Sequence, residues 1–364
     1  MGHSEIRRFK LLALRAARRL GVNGLVISSR WRRRRLTILC YHGISQQDEH
    51  EWNPVLYLAP EHFRSRMEIL SRRGCNVLPL PEALQRLQAD CLPPRAVSIT
   101  FDDGFYGFYS IAWPMLRRFS FPATVYLTTY YSGHPEWPVF DLMLGYVLWK
   151  SRSRTLVCGG ILPRPVPLDE AGRNHVCDAL QTYCLERKLS GAGRHELLQT
   201  ISRELDFDLG SAIRERLLCL MNASEVRRVA AEGADIQLHT HRHRIFARKE
   251  RFWREIDENR QRITAITGVT PSHFCYPGNF RLPDLPEWLR ARGVESGTTC
   301  DPGLAVRHSN PLLLPRVLDI SSMQPEEFDA WICGVCDLLP KRPAPQSPYQ
   351  LAPEPDPEAA PEAA

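Results

Sequence analysis

Hydrophobic and polar positions along the 364-residue chain change period repeatedly. Short, almost uninterrupted apolar runs alternate with stretches in which apolar residues recur every three or four positions. The runs "LTILCYH" (36–42), "NVLPL" (76–80), "AVSITF" (96–101), "ATVYLTT" (123–129), "ADIQLHT" (234–240), "HFCYP" (273–277) and "LLLPRVLDI" (312–320) read as strands. Helical patterns cover 60–73, 81–89, 248–267 and 284–292, and a further segment around 105–119 contains Pro114. In the 248–267 helix Phe252, Ile256, Ile263 and Ile266 hold one face and Gly268 stops it, while Pro60 and Pro81 suit first turns. Near-continuous apolar strands alternating with helices predict a parallel sheet covered on both faces, an α/β fold.

Between 131 and 220 this rhythm breaks. A stretch opening "YYSGHPEWPVFDLMLGYVLW" leads to a Gly/Pro-rich patch and two helical segments near 172–189 and 194–204. It reads as a mostly helical insertion between two parts of the sheet domain, 37–130 and 221–338. Its entry after one strand end and return before another predict that it shapes a groove or lid. Trp137, Phe140 and Asp141 there could stack on a ligand, with the insertion's own small core as the plainer explanation. Residues 339–364, rich in Pro, Ala and Glu, have too little apolar surface to order themselves.

Composition changes the picture mainly at the N-terminus. The chain is 43% hydrophobic and 24% charged with a net charge of +6, yet residues 1–36 alone carry eleven Lys/Arg against Glu5, so the remainder is net negative. Phe9, Leu12, Ala13, Ala16 and Leu20 share one helical face with arginines elsewhere, which suits an interfacial helix on anionic lipid. A solvated basic arm is the bland alternative. A nucleic-acid partner is not expected, since no aromatic interleaving or binding module accompanies the arginines. No apolar run reaches membrane-spanning length. The eleven irregularly spaced cysteines, and leucines broken by arginines in "FKLLALRAARRLG", point to a reducing cytoplasmic setting without a secretory signal.

Four strands end in polar clusters at the same, C-terminal, end: Tyr41-His42-Gly43, Asp102-Asp103-Gly104, His239-Thr240-His241-Arg242-His243 and Tyr276-Pro277-Gly278. In a parallel α/β barrel these ends share one rim, where chemistry is found. Two imidazoles four residues apart beside a carboxylate make a three-ligand site with open positions for a catalytic divalent metal. A polar surface turn is the alternative for such a loop taken alone. Of two adjacent aspartates, one suits the metal and the other remains free to take a proton.

"TFDDG", "HTHRH" and "FCYPGN", in that order, resemble the leading motifs of the NodB-homology polysaccharide deacetylases, carbohydrate esterase family 4. The resemblance covers roughly 37–130 and 221–320. It implies a distorted (β/α)7 barrel that removes an N-acetyl group from an amino sugar, using Zn²⁺ or a similar divalent ion. By this similarity Asp103, His239 and His243 match the metal ligands, Asp102 the catalytic base and Thr240 a supporting position. The third motif departs from the family's Arg-x-Pro-Tyr: Cys275 stands where the Arg orients the base, and Gly278 keeps only the backbone N–H for the oxyanion. Arg316, in "LPRVLD", is the candidate replacement, weighed against a surface salt bridge. The late Leu-x-His motif is missing, His308 standing in an unrelated context. "LCYHGIS" instead resembles the Tyr-His segment of the poly-β-1,6-N-acetylglucosamine deacetylase branch, which makes His42 the implied general acid against the reading of a buried structural histidine.

The resulting expectation is a hydrolase of non-peptide carbon–nitrogen bonds, a carbohydrate N-deacetylase. Its substrate would be a polysaccharide or lipid-linked glycan, met in the cytoplasm or at the inner face of the membrane. The rival expectation is a catalytically silent glycan-binding or membrane-associated protein on the same barrel. "CGVC" (333–336) has no second cysteine pair and reads as packing.

Overall fold

The computed structural model describes residues 3–341 and 343–346, with side chains from residue 11 onward. Inter-residue contacts separate two compact units, one built from the chain up to Tyr130 and from Ala223 onward, the other from Tyr131–Asn222.

Seven parallel strands close the first unit into a barrel: β1 (Arg35–Tyr41), β2 (Ala96–Phe101), β3 (Thr124–Leu127), β4 (Asp235–Leu238), β5 (His273–Cys275), β6 (Ser296–Pro302) and β7 (Leu314–Leu318). Closure comes from β1, which pairs with β2 from Thr37↔Val97 to Tyr41↔Phe101 and with β7 at Leu39↔Val317 and Cys40↔Leu318. The ring is irregular. One residue pair, Phe274↔Leu238, joins β5 to β4, and the β6–β7 register shifts between Thr298 and Pro302. The fully buried β2 shows why an unbroken apolar run becomes a barrel strand: its inward side chains fill the lumen and its outward ones meet the helices.

Two strands differ from the sequence expectation. β6, "SGTTCDP", has no apolar run, because its buried positions are filled by Ser296, Gly297, Thr298 and Thr299. Conversely, only Asn76–Val77 of 76–80 pairs, beside the start of β2, since the following prolines lack the N–H a ladder needs.

The helix Lys249–Thr267 follows β4 and buries Phe252, Ile256 and Ile263, ending at Gly268 with φ 75°. At the N-terminus the helices His3–Arg19 and Val22–Ser28 pack on Pro325–Cys333, with Leu14 and Ile27 buried, Asn23 Nδ2 donating to Asp329 Oδ2 at 2.9 Å and Arg15 3.3 Å from Glu326. Arg32 leaves the basic arm altogether. It is fully buried and donates to the carbonyls of Ile332 and Arg35 and to Thr37 Oγ1. Cys333 and Cys336 are buried, in keeping with packing.

The second unit contains the helices Phe140–Lys150, Glu170–Glu186, Gly191–Glu204 and Leu209–Arg214. The last three are capped by Asp169, Ser190 and Asp208. The Gly/Pro-rich patch forms an antiparallel hairpin, Thr155–Cys158 with Leu162–Pro167. Phe140 is buried in this unit's core, whereas Trp137 stacks on His134 at 4.2 Å. Part of the C-terminal stretch expected to be disordered is placed: Ala344 N–H donates to Asp301 Oδ1 at 3.1 Å, and Asn279 Nδ2 donates to the Ala344 carbonyl at 3.3 Å. The rest of that stretch, 342 and 347–364, lies outside the described residues.

Candidate active site

The end of β2 resolves how two adjacent aspartates coexist. Asp102 N–H donates to the Tyr41 carbonyl at 2.9 Å and continues the strand, but Asp103 turns into the left-handed region, φ 68°, followed by Gly104 at φ 87°. That turn sends the two carboxylates to different partners. Such backbone in a non-glycine residue costs about 1 kcal/mol or more and concentrates at functional sites. Thr240 at φ 61° and His243 at φ 58° adopt it as well.

Asp103 faces two imidazoles. Its Oδ1 lies 3.2 Å from His239 Nε2 and 3.1 Å from His243 Nε2, and the three donor atoms lie within 4.8 Å of one another. His239 Nδ1 lies 2.8 Å from the Cys275 carbonyl, which can only accept, so Nδ1 carries a proton and Nε2 is the ring atom that faces Asp103. Asp103 Oδ1 is buried without a hydrogen-bond partner among the described residues. One carboxylate oxygen and two imidazole nitrogens crowded together in this way fit a divalent cation. Burial works against ionisation of Asp103, but His243 and His239 outweigh it and hold its carboxyl well below the usual range.

His241, between the two ligating candidates, points elsewhere. Its Nδ1 is 2.8 Å from Thr129 Oγ1 and its ring packs edge-on to Tyr130. Thr240 is fully buried, and its hydroxyl accepts the Arg244 N–H at 3.1 Å, closing the loop. Arg242 ties the loop to the following helix through Glu255 and Glu258, at 2.7 and 2.6 Å.

Asp102 is held differently. Arg316, fully buried on β7, donates from Nη1 to Oδ1 and from Nη2 to Oδ2, both at 2.7 Å, in a bidentate pair. Its Nε donates to the Thr299 carbonyl at 2.8 Å and Nη1 also reaches Thr100 Oγ1 at 3.0 Å, which fixes the fork. Burial opposes ionisation of Asp102; the charge and hydrogen bonds of Arg316 overcome it and hold the carboxyl well below its ordinary value. Arg316 is therefore not a surface ion pair. His42 Nε2 lies 3.6 Å from Asp102 Oδ2, and its Nδ1 is buried without a partner among the described residues. The site thus joins a cluster of donor atoms suited to a metal ion to a second carboxylate oriented by its own cation.

The polysaccharide deacetylase family profile matches residues 205–296, which contain "HTHRH" and "FCYPGN". Curated proteins named for this activity match as well: YxkH of Bacillus subtilis, 33% identical over 28% of this chain and 34% of its own, and the poly-β-1,6-N-acetyl-D-glucosamine N-deacetylase of Staphylococcus epidermidis, 29% identical over 23% and 29%. Over these stretches the chain is similar to polysaccharide deacetylases. It spans about a third of the length of those curated relatives. The fold agrees: the Streptococcus pyogenes deacetylase PplD, solved in complex with acetate, superposes with a TM-score of 0.54 at 17% identity over 84% of this chain and 99% of its own. IcaB from Ammonifex degensii gives 0.50 at 16% identity over 82% and 97%.

Against the family pattern, the β5 position of the missing arginine holds Cys275, whose thiol lies 3.3 Å from Asp102 Oδ2 and 3.0 Å from Arg316 Nη2. Gly278 stands in the turn after β5 with φ 56°, where its lack of a side chain removes the strain. Six of the seven residues singled out in the sequence lie at the C-terminal ends of barrel strands or in the loops that follow, and Arg316 is the central residue of β7. Asn259 was not among them. It is fully buried, its Oδ1 accepts the His239 N–H at 2.9 Å, and its Nδ2 donates to the Leu127 carbonyl and Thr129 Oγ1. The signal was present: the stripe Phe252, Ile256, Asn259, Ile263 is apolar except at one position.

Proposed function

We propose that the chain is a divalent-metal-dependent carbohydrate N-deacetylase that removes the acetyl group of an amino sugar. What carries this reading is the combination, at one strand end, of a two-imidazole, one-carboxylate cluster with a separately held carboxylate base. A cation bound by Asp103, His239 and His243, Zn²⁺ by the donor chemistry, would supply Lewis-acid polarisation of the amide carbonyl and lower the pKa of water. Asp102, kept ionised by Arg316, takes the proton of the attacking water. The Gly278 N–H donates to the oxygen on which negative charge develops. His42, beside Asp102, delivers a proton to the leaving amine. The acetate in PplD and the N-acetylglucosamine polymer named for the staphylococcal relative support this choice of acyl group and sugar.

The same reading places the chain at the inner face of the cytoplasmic membrane, acting on a lipid-linked glycan. The N-terminal helices support it: Leu12, Leu20 and Leu25 are 55, 79 and 74% exposed, while Leu14 on the opposite face is buried against the barrel unit. Exposed Arg15, Arg18 and Arg19 flank the outward leucines, as binding to anionic lipid requires. The eleven free cysteines fit a reducing compartment.

The test is acetate release from N-acetylglucosamine oligomers and lipid-linked N-acetyl sugars, with and without added Zn²⁺, for the wild type and Asp102→Asn. Metal-dependent release lost in the variant is expected; stoichiometric metal binding with no release from any of these substrates rejects the activity. Flotation with phosphatidylglycerol against phosphatidylcholine vesicles tests the membrane placement, which fails if Leu12→Glu/Leu20→Glu leaves binding unchanged.

A further inference from the structure

Three thiols converge on the ion pair that holds the base. Cys40 on β1 lies 3.5 Å from Asp102 Oδ2, Cys275 on β5 lies 3.3 Å from the same oxygen, and Cys300 on β6 lies 3.5 Å from Arg316 Nη2. Their surroundings differ. Cys40 and Cys275 are fully buried, and burial pushes both thiols up, that of Cys275 to about 11. Cys300 is partly exposed and lines a cavity of about 360 Å³ together with Pro302, Met323, Trp331 and Leu339. A hydrogen bond with Cys40, then the charge of Arg316, bring its thiol down to about 6 against the effect of burial. Elsewhere burial drives the partly exposed Cys75 and Cys177 up to about 11.

We propose that Cys300 is a thiol-modification site, reached through this cavity by soft electrophiles and peroxides, and that its modification stops turnover by displacing Arg316 from Asp102. The thiolate, not the thiol, is the nucleophile, and a neighbouring cation favours it. With an alkyl iodide the sulfur forms a bond to carbon and iodide leaves with the carbon–iodine electron pair. With hydrogen peroxide the sulfur bonds to one oxygen as the O–O bond breaks. Cys300 is oxidised to the sulfenic acid, and peroxide is reduced to water after taking up a proton. Either adduct adds atoms next to a guanidinium now 3.5 Å away, with the buried Cys40 and Cys275 closing the other sides. The inhibition half of this proposal rests on the deacetylase reading, whereas the labelling half does not.

The full-length protein is treated with iodoacetamide at pH 6.5, and each cysteine is followed by peptide mass mapping. A thiol of ordinary pKa is only about 1% ionised at that pH. Allowing for the lower nucleophilicity of a low-pKa thiolate, Cys300 labels about tenfold faster than the exposed Cys91. Acetate release, followed in parallel, falls with the same rate constant as Cys300 labelling, and hydrogen peroxide causes the same loss with one oxygen added at Cys300. In Cys300→Ala, measured against its own starting rate, neither reagent causes that loss. Labelling of Cys91 ahead of Cys300 overturns the reactivity. Full modification of Cys300 with undiminished release overturns the control of the ion pair. Mass mapping needs no turnover, so a protein without deacetylase activity still decides the first point, and the two wild-type time courses decide the second even where the variant does not fold.

Discussion

Replacing Arg316 by methionine tests the central electrostatic argument. Arg316 and Asp102 are 0 and 2% exposed, so neither partner can turn to water when the other is removed. Breaking a buried pair of this kind costs about 3–5 kcal/mol, because a desolvated carboxylate is left uncompensated. The upper end applies here, since Thr100 Oγ1 and the Thr299 carbonyl lose their donor too. Arg316→Met/Asp102→Asn then costs less than the two single changes together, by about 2 kcal/mol, because a neutral amide no longer needs the cation. Urea unfolding of all four proteins at pH 7 measures this. A kinetic consequence has a definite sign. Arg316 is what keeps Asp102 well below its ordinary carboxylate range against the opposing effect of burial. Without it burial prevails, the base stays protonated to higher pH, and the acid limb of the rate profile for Arg316→Met moves upward. A cycle additive to within about 0.5 kcal/mol, or an unmoved acid limb, refutes the reasoning.

Three further outcomes follow from the same geometry. Asn259→Leu strands the His239 N–H and loosens a ligand, so metal affinity, read by titration calorimetry, falls about 10–100-fold while the barrel remains folded. His42→Ala lowers the turnover rate by about 10²–10⁴-fold with metal stoichiometry unchanged, as loss of a proton donor predicts and loss of a ligand does not. Burial raises the carboxyl of Asp319 to about 6 even though Arg66, 2.9 Å away, opposes it. The folded state therefore binds more protons than the unfolded chain between roughly pH 4 and 6, and this group's contribution to stability declines as pH rises through that window. Asp319→Asn flattens that part of the stability profile measured by thermal unfolding.

Much of the site was legible because a parallel barrel strand announces its end: apolar side chains give way to polar ones where the lumen opens. Asp102, Asp103, His239 and His243 all stand at such transitions. The residues that position them were harder to see. Arg316 lies within an apolar run near two leucines and a proline, a context equally suited to a surface salt bridge; only its burial and its reach to β2 distinguish the two. β6 escaped detection because its buried positions are small and polar, a lumen-filling solution that carries no hydrophobic signal. Arg32 looked like one of a row of solvated arginines, and nothing in the row marks the one whose guanidinium ends under the barrel.

The absent third-motif arginine and the presence of Arg316 are one fact seen from two strands. Cys275 Sγ sits 3.0 Å from Arg316 Nη2 and 3.3 Å from Asp102 Oδ2, so the thiol occupies the space that an arginine side chain leaving β5 would cross. Two guanidinium groups cannot both lie against one carboxylate here without like charges meeting in a site that excludes water. A short side chain at 275 is therefore the condition for Arg316 to reach Asp102 from β7. In the proposed reaction the requirement is for a fixed cation on Asp102 rather than for a particular strand to supply it. Seen this way the departure from the family pattern does not point to a silent barrel, because the charge the motif would have supplied is present, buried and bidentate on the same oxygens. What the position of Arg316 brings is its surroundings: the carboxylate it holds is bordered by the buried thiols of Cys40 and Cys275, and its own charge reaches the partly exposed Cys300.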